Sequence, residues 1–264
     1  MADPIEQVMT PEAINHLFSK QGFNGAMVPV QVSSENLPIV VTGLREIKNL
    51  DGFVVTVPHK VDMFSLCDEV TDEAGAIGAV NVVHRTAEGK LLGAMFDGQA
   101  FVGSLQSAGL ELEGRSVYLC GAGGAASAIA IALSKASIAR LTIFNRTVDS
   151  ANQLLKRIAA INPAIEVRLG ISDPSGHDLV VNATSLGMKI SDPLPCDAEK
   201  LSTKQCVAEI IMKPVETRLL AIAQKRGCKV YYGAPMLSAQ IQLMADFMRN
   251  GNSVSNDALN SNKA

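Results

Sequence analysis

The spacing Gly121-x-Gly123-x-x-Ala126 follows the apolar run Val117-Tyr-Leu-Cys120 and opens an alanine-rich stretch. Strand, turn and helix in that order suit a dinucleotide. Gly121 permits the tight turn, Gly123 lets backbone approach a pyrophosphate, and Ala126 allows close packing of helix on strand. N–H groups presented by Gly121, Ala122, Gly123, Gly124 and Ala125 would hold the phosphates. The same glycines would also serve a turn that only joins a strand to a helix. A second strand at 141–144 runs into Asn145-Arg146-Thr147. An Asp or Glu at that end reads the ribose hydroxyls of NAD, whereas the planar, always-charged Arg146 suits the 2′-phosphate of NADP. Asp149 keeps NAD open, and a solvated surface Arg is the alternative. A third group, Thr56, His59 and Lys60, stands at or just past the C-terminal end of an apolar strand at 52–58, where ligands of open α/β sheets gather.

These groups need a folded scaffold, and the totals allow one. The chain has 264 residues, 47% hydrophobic and 19% charged, enough for two domains of ordinary size. Its net charge is −3, and Lys and Arg are scattered rather than striped. That pattern points to a small-molecule partner and not to nucleic acid or a membrane. The five cysteines are far apart in sequence and form no C-x-x-C, so neither a disulfide framework nor a metal site is indicated. A reducing, cytoplasmic setting fits. No basic-then-apolar leader begins the sequence, and no apolar run is long enough to cross a bilayer. The residues do not decide between a monomer and a homodimer.

The pattern along the chain alternates strands and helices. A helix at 10–22 has Thr10 as N-cap, Pro11 in its first turn, Gly22 as stop, and Ile14, Leu17 and Phe18 facing a core. A strand is expected at 26–32 and a helix at 34–48. Residues 76–83 and 91–98 read as an antiparallel hairpin around Glu88-Gly89. Past the unit at 115–146, strands are expected at 178–184, 206–212 and 229–232, with helices at 151–161 and 216–227. A last helix opens at 233–236 with Leu237, Ile241, Met244 and Phe247 on one face, and the chain from Asn250 onward reads as a polar, frayed tail. The alternation predicts an α/β fold with a doubly wound, parallel sheet.

Taken in order, Val55-Thr-Val-Pro-His-Lys60, Gly78-Ala-Val-Asn81, Asp97-Gly98, Gly121-Ala-Gly-Gly-Ala125, Asn145-Arg-Thr147, Asn182-Ala-Thr-Ser-Leu-Gly-Met188, Pro214-x-x-Thr217 and Met236-Leu-x-x-Gln240 resemble the shikimate/quinate dehydrogenase family. The resemblance implies two domains. A Rossmann-type NADP-binding domain at 102–233 is inserted into a smaller α/β substrate domain, 1–101 plus 234–264, with a mostly parallel sheet. It implies hydride transfer between NADP and a secondary hydroxyl or ketone, with Lys60 as acid/base and Asp97 orienting the amine. Such a transfer requires a positioned proton acceptor near the reacting carbon. By family position Thr56, Asn81 and Gln240 would meet ring hydroxyls, and Ile210 and Gly233 would line the nicotinamide.

The chain departs from the family where the substrate carboxylate is held. Two family serines correspond to Val8 and Thr10, and a family tyrosine to Met212. Each lost hydrogen bond to a charged group costs about 1.5–3 kcal/mol, so a substrate with a smaller or less acidic substituent is expected. Thr10 could remain a substrate ligand or only cap its helix. Met95-Phe96 before Asp97 makes the pocket more apolar, and the chain begins where the family's first strand should be ending. A second hypothesis, a non-catalytic protein that senses such a metabolite or NADP, follows from the altered carboxylate site. The Lys60 and Asp97 pair argues against it, because binding alone needs no acid/base.

Overall fold

The computed structural model describes residues 1–6 and 8–251, so the reading of Asn250 onward as a frayed tail falls, from residue 252, outside the described residues. The chain forms two compact units, one comprising Met1–Phe96 with the stretch from Leu237 onward, the other Asp97–Met236.

In the first unit, α1 (Thr10–Gln21) and α2 (Leu37–Arg45) precede β1 (Gly52–Val54), α3 (Lys60–Leu66), β2 (Glu69–Val70), α4 (Asp72–Ile77), β3 (Val82–Arg85) and β4 (Leu91–Ala94). Gly22 ends α1 in the left-handed region at φ 62, where glycine carries no Cβ penalty. Thr10 does not cap that helix. It is the first helical residue, and Met9 at the cap position makes no side-chain bond. The sheet order is β1-β3-β4-β2. The expected mostly parallel sheet is corrected here to a mixed one: β1–β3 and β3–β4 are antiparallel, and only β2–β4 is parallel. The cause is local, since the Thr86–Lys90 turn folds β3 directly back on β4, with Gly89 at φ 84. Both β2 and α4 are too short for periodicity to reveal.

The strand expected at 26–32 is not formed as such. Pro29 has no N–H to offer a ladder. What remains is a single parallel bridge between Ala2 and Gln31. Ala2 N–H donates to Val30 O and Val32 N–H to Ala2 O, while Asp3 N–H donates to Val57 O. The first residues thus lie between 30–32 and the continuation of β1.

The core of this unit joins Ile14 and Phe18 of α1, Val82 and Ala94 of the sheet, and Ile241, Met244 and Phe247. These last lie on α9 (Ala234–Asn250), whose apolar face is the one its spacing predicts. Phe96 meets Phe247 edge to face at 5.6 Å.

The second unit runs α5 (Asp97–Ser107), β5 (Ser116–Cys120), α6 (Gly124–Lys135), β6 (Arg140–Phe144), α7 (Val148–Ile161), β7 (Glu166–Leu169), β8 (Leu179–Asn182), β9 (Cys206–Glu209), α8 (Arg218–Lys225) and β10 (Lys229–Tyr231). The sheet order is β10-β9-β8-β5-β6-β7, with every pair parallel. Strand order therefore reverses between β5 and β8, and ligands of such sheets bind outside the carboxyl ends of the strands at that reversal. Alanines let α6 approach its neighbours closely. A Cβ at Gly98 would stand 2.2 Å from Ala128 O, so α5 and α6 touch backbone to backbone. The α/β, doubly wound reading holds for this unit. No helix among the described residues is long and apolar enough to cross a membrane.

Candidate functional site

At the strand reversal, Cys120 pairs with Phe144 on one side and Asn182 on the other. The chain leaves β5 through Gly121 at φ 117, a conformation that side chains rarely adopt. Gly121 N–H donates to Phe144 O at 2.8 Å, and Ala183 N–H to Cys120 O at 2.9 Å. A Cβ at Gly121 would lie 3.1 Å from Ala183 O and 3.2 Å from the Ala126 Cβ. Position 126 is small because it faces that turn. Gly123 is the cap residue of α6, with open space where a Cβ would be. The first helical bond is Ser127 N–H to Gly123 O, so the N–H groups of Gly124, Ala125 and Ala126 have no acceptor within the helix. An open glycine edge with oriented N–H donors fits the phosphates of a dinucleotide.

The neighbouring lip comes from β6. Asn145 Nδ2 donates to Thr147 O at 2.9 Å, turning the chain into α7. Thr147 stands at the cap position of α7 without a side-chain cap bond, and Arg146 is exposed between them. A cation therefore sits two residues past the strand end that is bonded to Gly121. Asp149 follows in the first turn of α7.

On the other side of the reversal, Ile210 follows β9 and Gly233 follows β10. A Cβ at Gly233 would lie 2.4 Å from Ile211 O and 2.7 Å from Ile210 C, so the two predicted residues meet and glycine is required. Beneath them is a group that reading the sequence missed. Glu209 ends β9 almost fully buried, at 1% exposure. Asn182 Nδ2 donates to one carboxylate oxygen at 2.8 Å, and Thr217 Oγ1 donates to the other at 2.6 Å. Burial pushes its carboxyl above the usual carboxylate range, and the bonds from Thr217 and Asn182 work against that. Its signal in the sequence was one acid inside the apolar run Cys206-Val-Ala-Glu-Ile-Ile-Met212. Cys120 and Cys196, distant in sequence, also meet by a side-chain hydrogen bond. That bond and burial keep Cys120 in its thiol form.

In the first unit the predicted residues converge on the loop after β1. Val80 N–H donates to Lys60 O at 2.8 Å and Val55 N–H to Asn81 O at 2.9 Å, which joins the backbone segments that carry Thr56, Lys60 and Asn81. Lys60 begins α3 and is half-buried. Asn81 is 1% exposed, and its Oδ1 accepts the Phe96 N–H at 3.1 Å, which fixes the amide's orientation. His59 is fully buried, with Nε2 2.8 Å from Val32 O. Gln240 is buried on α9 beside Ile241, a residue of the core containing Val82 and Phe96. Thr10 is half-buried at the start of α1. Asp97 begins α5 in the second unit at 2% exposure, directly after Phe96. Met212 is half-buried beyond β9.

The arrangement has counterparts among known proteins. A family model described as the shikimate dehydrogenase substrate binding domain matches residues 1–83, and one described as shikimate/quinate 5-dehydrogenase matches residues 104–186. A shikimate dehydrogenase (NADP(+)) of Rubrobacter xylanophilus is 37% identical over 241 residues, 90% of this chain and 84% of that protein. The solved shikimate 5-dehydrogenase of Thermus thermophilus in complex with NADP(H) and shikimate has a TM-score of 0.83 at 29% identity, covering 98% of this chain and 94% of that one. The ligand-free 5-ketofructose reductase of Gluconobacter sp. strain CHM43 has a TM-score of 0.81 at 30% identity, covering 98% and 94%. With the motifs on its strand ends and this match along its length, the chain belongs to the shikimate/quinate dehydrogenase family of oxidoreductases.

Proposed function

We propose that the protein is an NADP-dependent dehydrogenase that interconverts a secondary hydroxyl and a ketone on a shikimate- or quinate-like cyclic substrate. The 97–236 unit holds the cofactor and the other unit the substrate. Gly121 to Ala125 would cradle the pyrophosphate, Asn145, Arg146 and Thr147 the phosphorylated ribose, and Ile210 and Gly233 the nicotinamide. The bound cofactor supplies the hydride acceptor or donor.

The chain's own residues handle the proton and the substrate. Lys60 takes the hydroxyl proton in oxidation and returns it in reduction. Asp97 orients the Lys60 amine and shares the substrate hydroxyl, while Thr56, Asn81 and Gln240 bond ring hydroxyls. The observation that supports the reading is that two backbone bonds join the segments that carry Thr56, Lys60 and Asn81, a convergence of chain that bears a hydroxyl, an amine and an amide. Sensing without turnover is not favoured, since that convergence includes a proton carrier. A cytoplasmic monomer or homodimer completes the proposal, and light scattering of the purified protein decides between the two.

A second reading concerns the ring substituent. Val8 and Met212 offer no hydroxyl, and Thr10 is a helix residue rather than a cap. The Gluconobacter relative is a reductase of 5-ketofructose, a sugar without a carboxylate. An uncharged cyclic polyol ketone is therefore the finer expectation. The test is NADP and NAD reduction against shikimate, quinate and their decarboxylated analogues, with Lys60→Ala as control. Turnover with no member of the panel sinks the proposal, and a preference for shikimate over the decarboxylated analogue sinks the second reading.

A further inference from the structure

Glu209 stands where three pieces of the second unit meet. It ends β9, one carboxylate oxygen accepts from Asn182 at the end of β8, and the other accepts from Thr217 at the start of α8. Its partners pass the constraint on. The Asn182 amide donates to Leu186 O at 3.0 Å, and its Oδ1 accepts both the N–H and the hydroxyl of Thr184, at 3.1 and 2.7 Å. Thr184 Oγ1 in turn accepts the Leu186 N–H at 3.0 Å. Thr217 accepts the Leu220 N–H and so caps α8. One carboxylate therefore dictates which way Asn182 faces, and Asn182 dictates the path of residues 183–186.

That path borders the glycine turn. Ala183 O and Thr184 Cγ2 would be 3.1 and 3.2 Å from a Cβ at Gly121. Farther on, Gly187 takes φ 114, with Thr217 and Ile211 3.2–3.4 Å from where its Cβ would be. Hydrogen bonds to a carboxylate are strong, and because these two fall on different oxygens, no apolar or amide side chain can accept at both positions.

We propose that Glu209 is a positioning residue for the cofactor, acting through Asn182 and Thr217 to set the 183–187 loop against the Gly121 turn. The inference rests on the reading of that turn as the NADP site. Glu209→Gln keeps the shape but puts an NH2 where one donor now points. Set against Asn182, that NH2 turns the amide away; set against Thr217, it makes the hydroxyl an acceptor and leaves the hydroxyl proton without its present partner.

The test measures NADP affinity by calorimetry, the KM values for NADP and for the cyclic substrate, and amide hydrogen exchange of the 183–187 loop without nucleotide. Glu209→Gln is expected to weaken NADP binding about tenfold or more, raise KM for NADP in step, leave KM for the substrate within about twofold, and speed exchange in the loop. Thr217→Val should move the same readouts in the same direction, and Thr217→Ser, which keeps the hydroxyl, should restore them. This second pair carries the test if Glu209→Gln does not fold. A parent that binds NADP while both Glu209→Gln and Thr217→Val bind it equally well overturns this inference alone. A loss of melting temperature with no change in NADP affinity overturns it too, by reducing Glu209 to a structural role. A parent that binds neither NADP nor NAD overturns the cofactor reading and this inference together.

Discussion

The carbonyl of Lys60 accepts the Val80 N–H at 2.8 Å, so the first residue of α3 is held beside the loop that carries Asn81. Backbone, not side chain, makes this link, and the Lys60 amine can therefore be removed without unfastening the loop. Lys60→Ala is expected to lower kcat about 10²–10⁴-fold while the NADP affinity and the melting temperature stay close to the parent's. Steady-state kinetics with a calorimetric titration of NADP checks this, and an active Lys60→Ala enzyme would exclude Lys60 as the proton carrier.

Arg146 is the exposed cation on the lip bonded to the glycine turn. Arg146→Gln should remove one charge-assisted pairing with a 2′-phosphate, worth about 1.5–3 kcal/mol, and raise KM for NADP about tenfold to a hundredfold. KM for NAD should change little. A parallel rise for both nucleotides would mean that Arg146 supports the fold of the lip and does not choose the cofactor.

Gly121 at φ 117 leaves no room for strain-free substitution. Gly121→Ala should cost about 1–3 kcal/mol of stability through its backbone conformation alone, and weaken NADP binding by displacing Ala183 O. Urea unfolding and nucleotide titration measure the two effects separately.

Asp178 accepts both the N–H and the hydroxyl of Ser116, at 2.8 and 2.7 Å, pinning the start of β8 to the start of β5. Those bonds, from the Ser116 hydroxyl first and its N–H second, hold its carboxyl below the usual carboxylate range. Its folded value is lowered, so the stability it confers is complete above the ordinary carboxylate value and disappears as pH falls through the folded one. Asp178→Ala should cost about 1–3 kcal/mol at pH 7. The gap from the parent should narrow as pH drops below about 4. Denaturant melts at several pH values give the curve, and a gap independent of pH would remove the carboxylate from the explanation.

The second unit was largely readable in the sequence, because each of its strands is a short apolar run closed by residues with one local job. Gly121 and Ala126 announce β5, its turn and α6 by their own steric needs. Asn145 and Gly233 mark strand ends in the same way. The first unit was less readable. Residues 26–32 alternate like a strand, yet their pairing depends on Ala2, a partner whose distance along the chain no periodicity encodes. The antiparallel β3–β4 hairpin was legible, but the joining of β1 to β3 and of the short β2 to β4 was not, since those segments are not adjacent along the chain. At the site, Thr56, Gly121, Asn145 and Ile210 lie just past strand ends, whereas Lys60 and Asp97 open helices and Gln240 lies within α9. Glu209 escaped because its value lies in Asn182 and Thr217, 27 and 8 residues away. A lone acid in an apolar run carries no mark of either.

The second unit is one uninterrupted stretch, whereas the first is assembled from both sides of it. During synthesis all six strands of the parallel sheet leave the ribosome ahead of α9. Ile241, Met244 and Phe247 are then missing from the core built on Ile14, Phe18, Val82 and Phe96. Those four side chains, made early, must wait uncovered until the last helix arrives. The nascent chain thus carries its parallel-sheet unit ahead of the last piece of the other unit, and its window for aggregation or chaperone capture closes only when α9 docks.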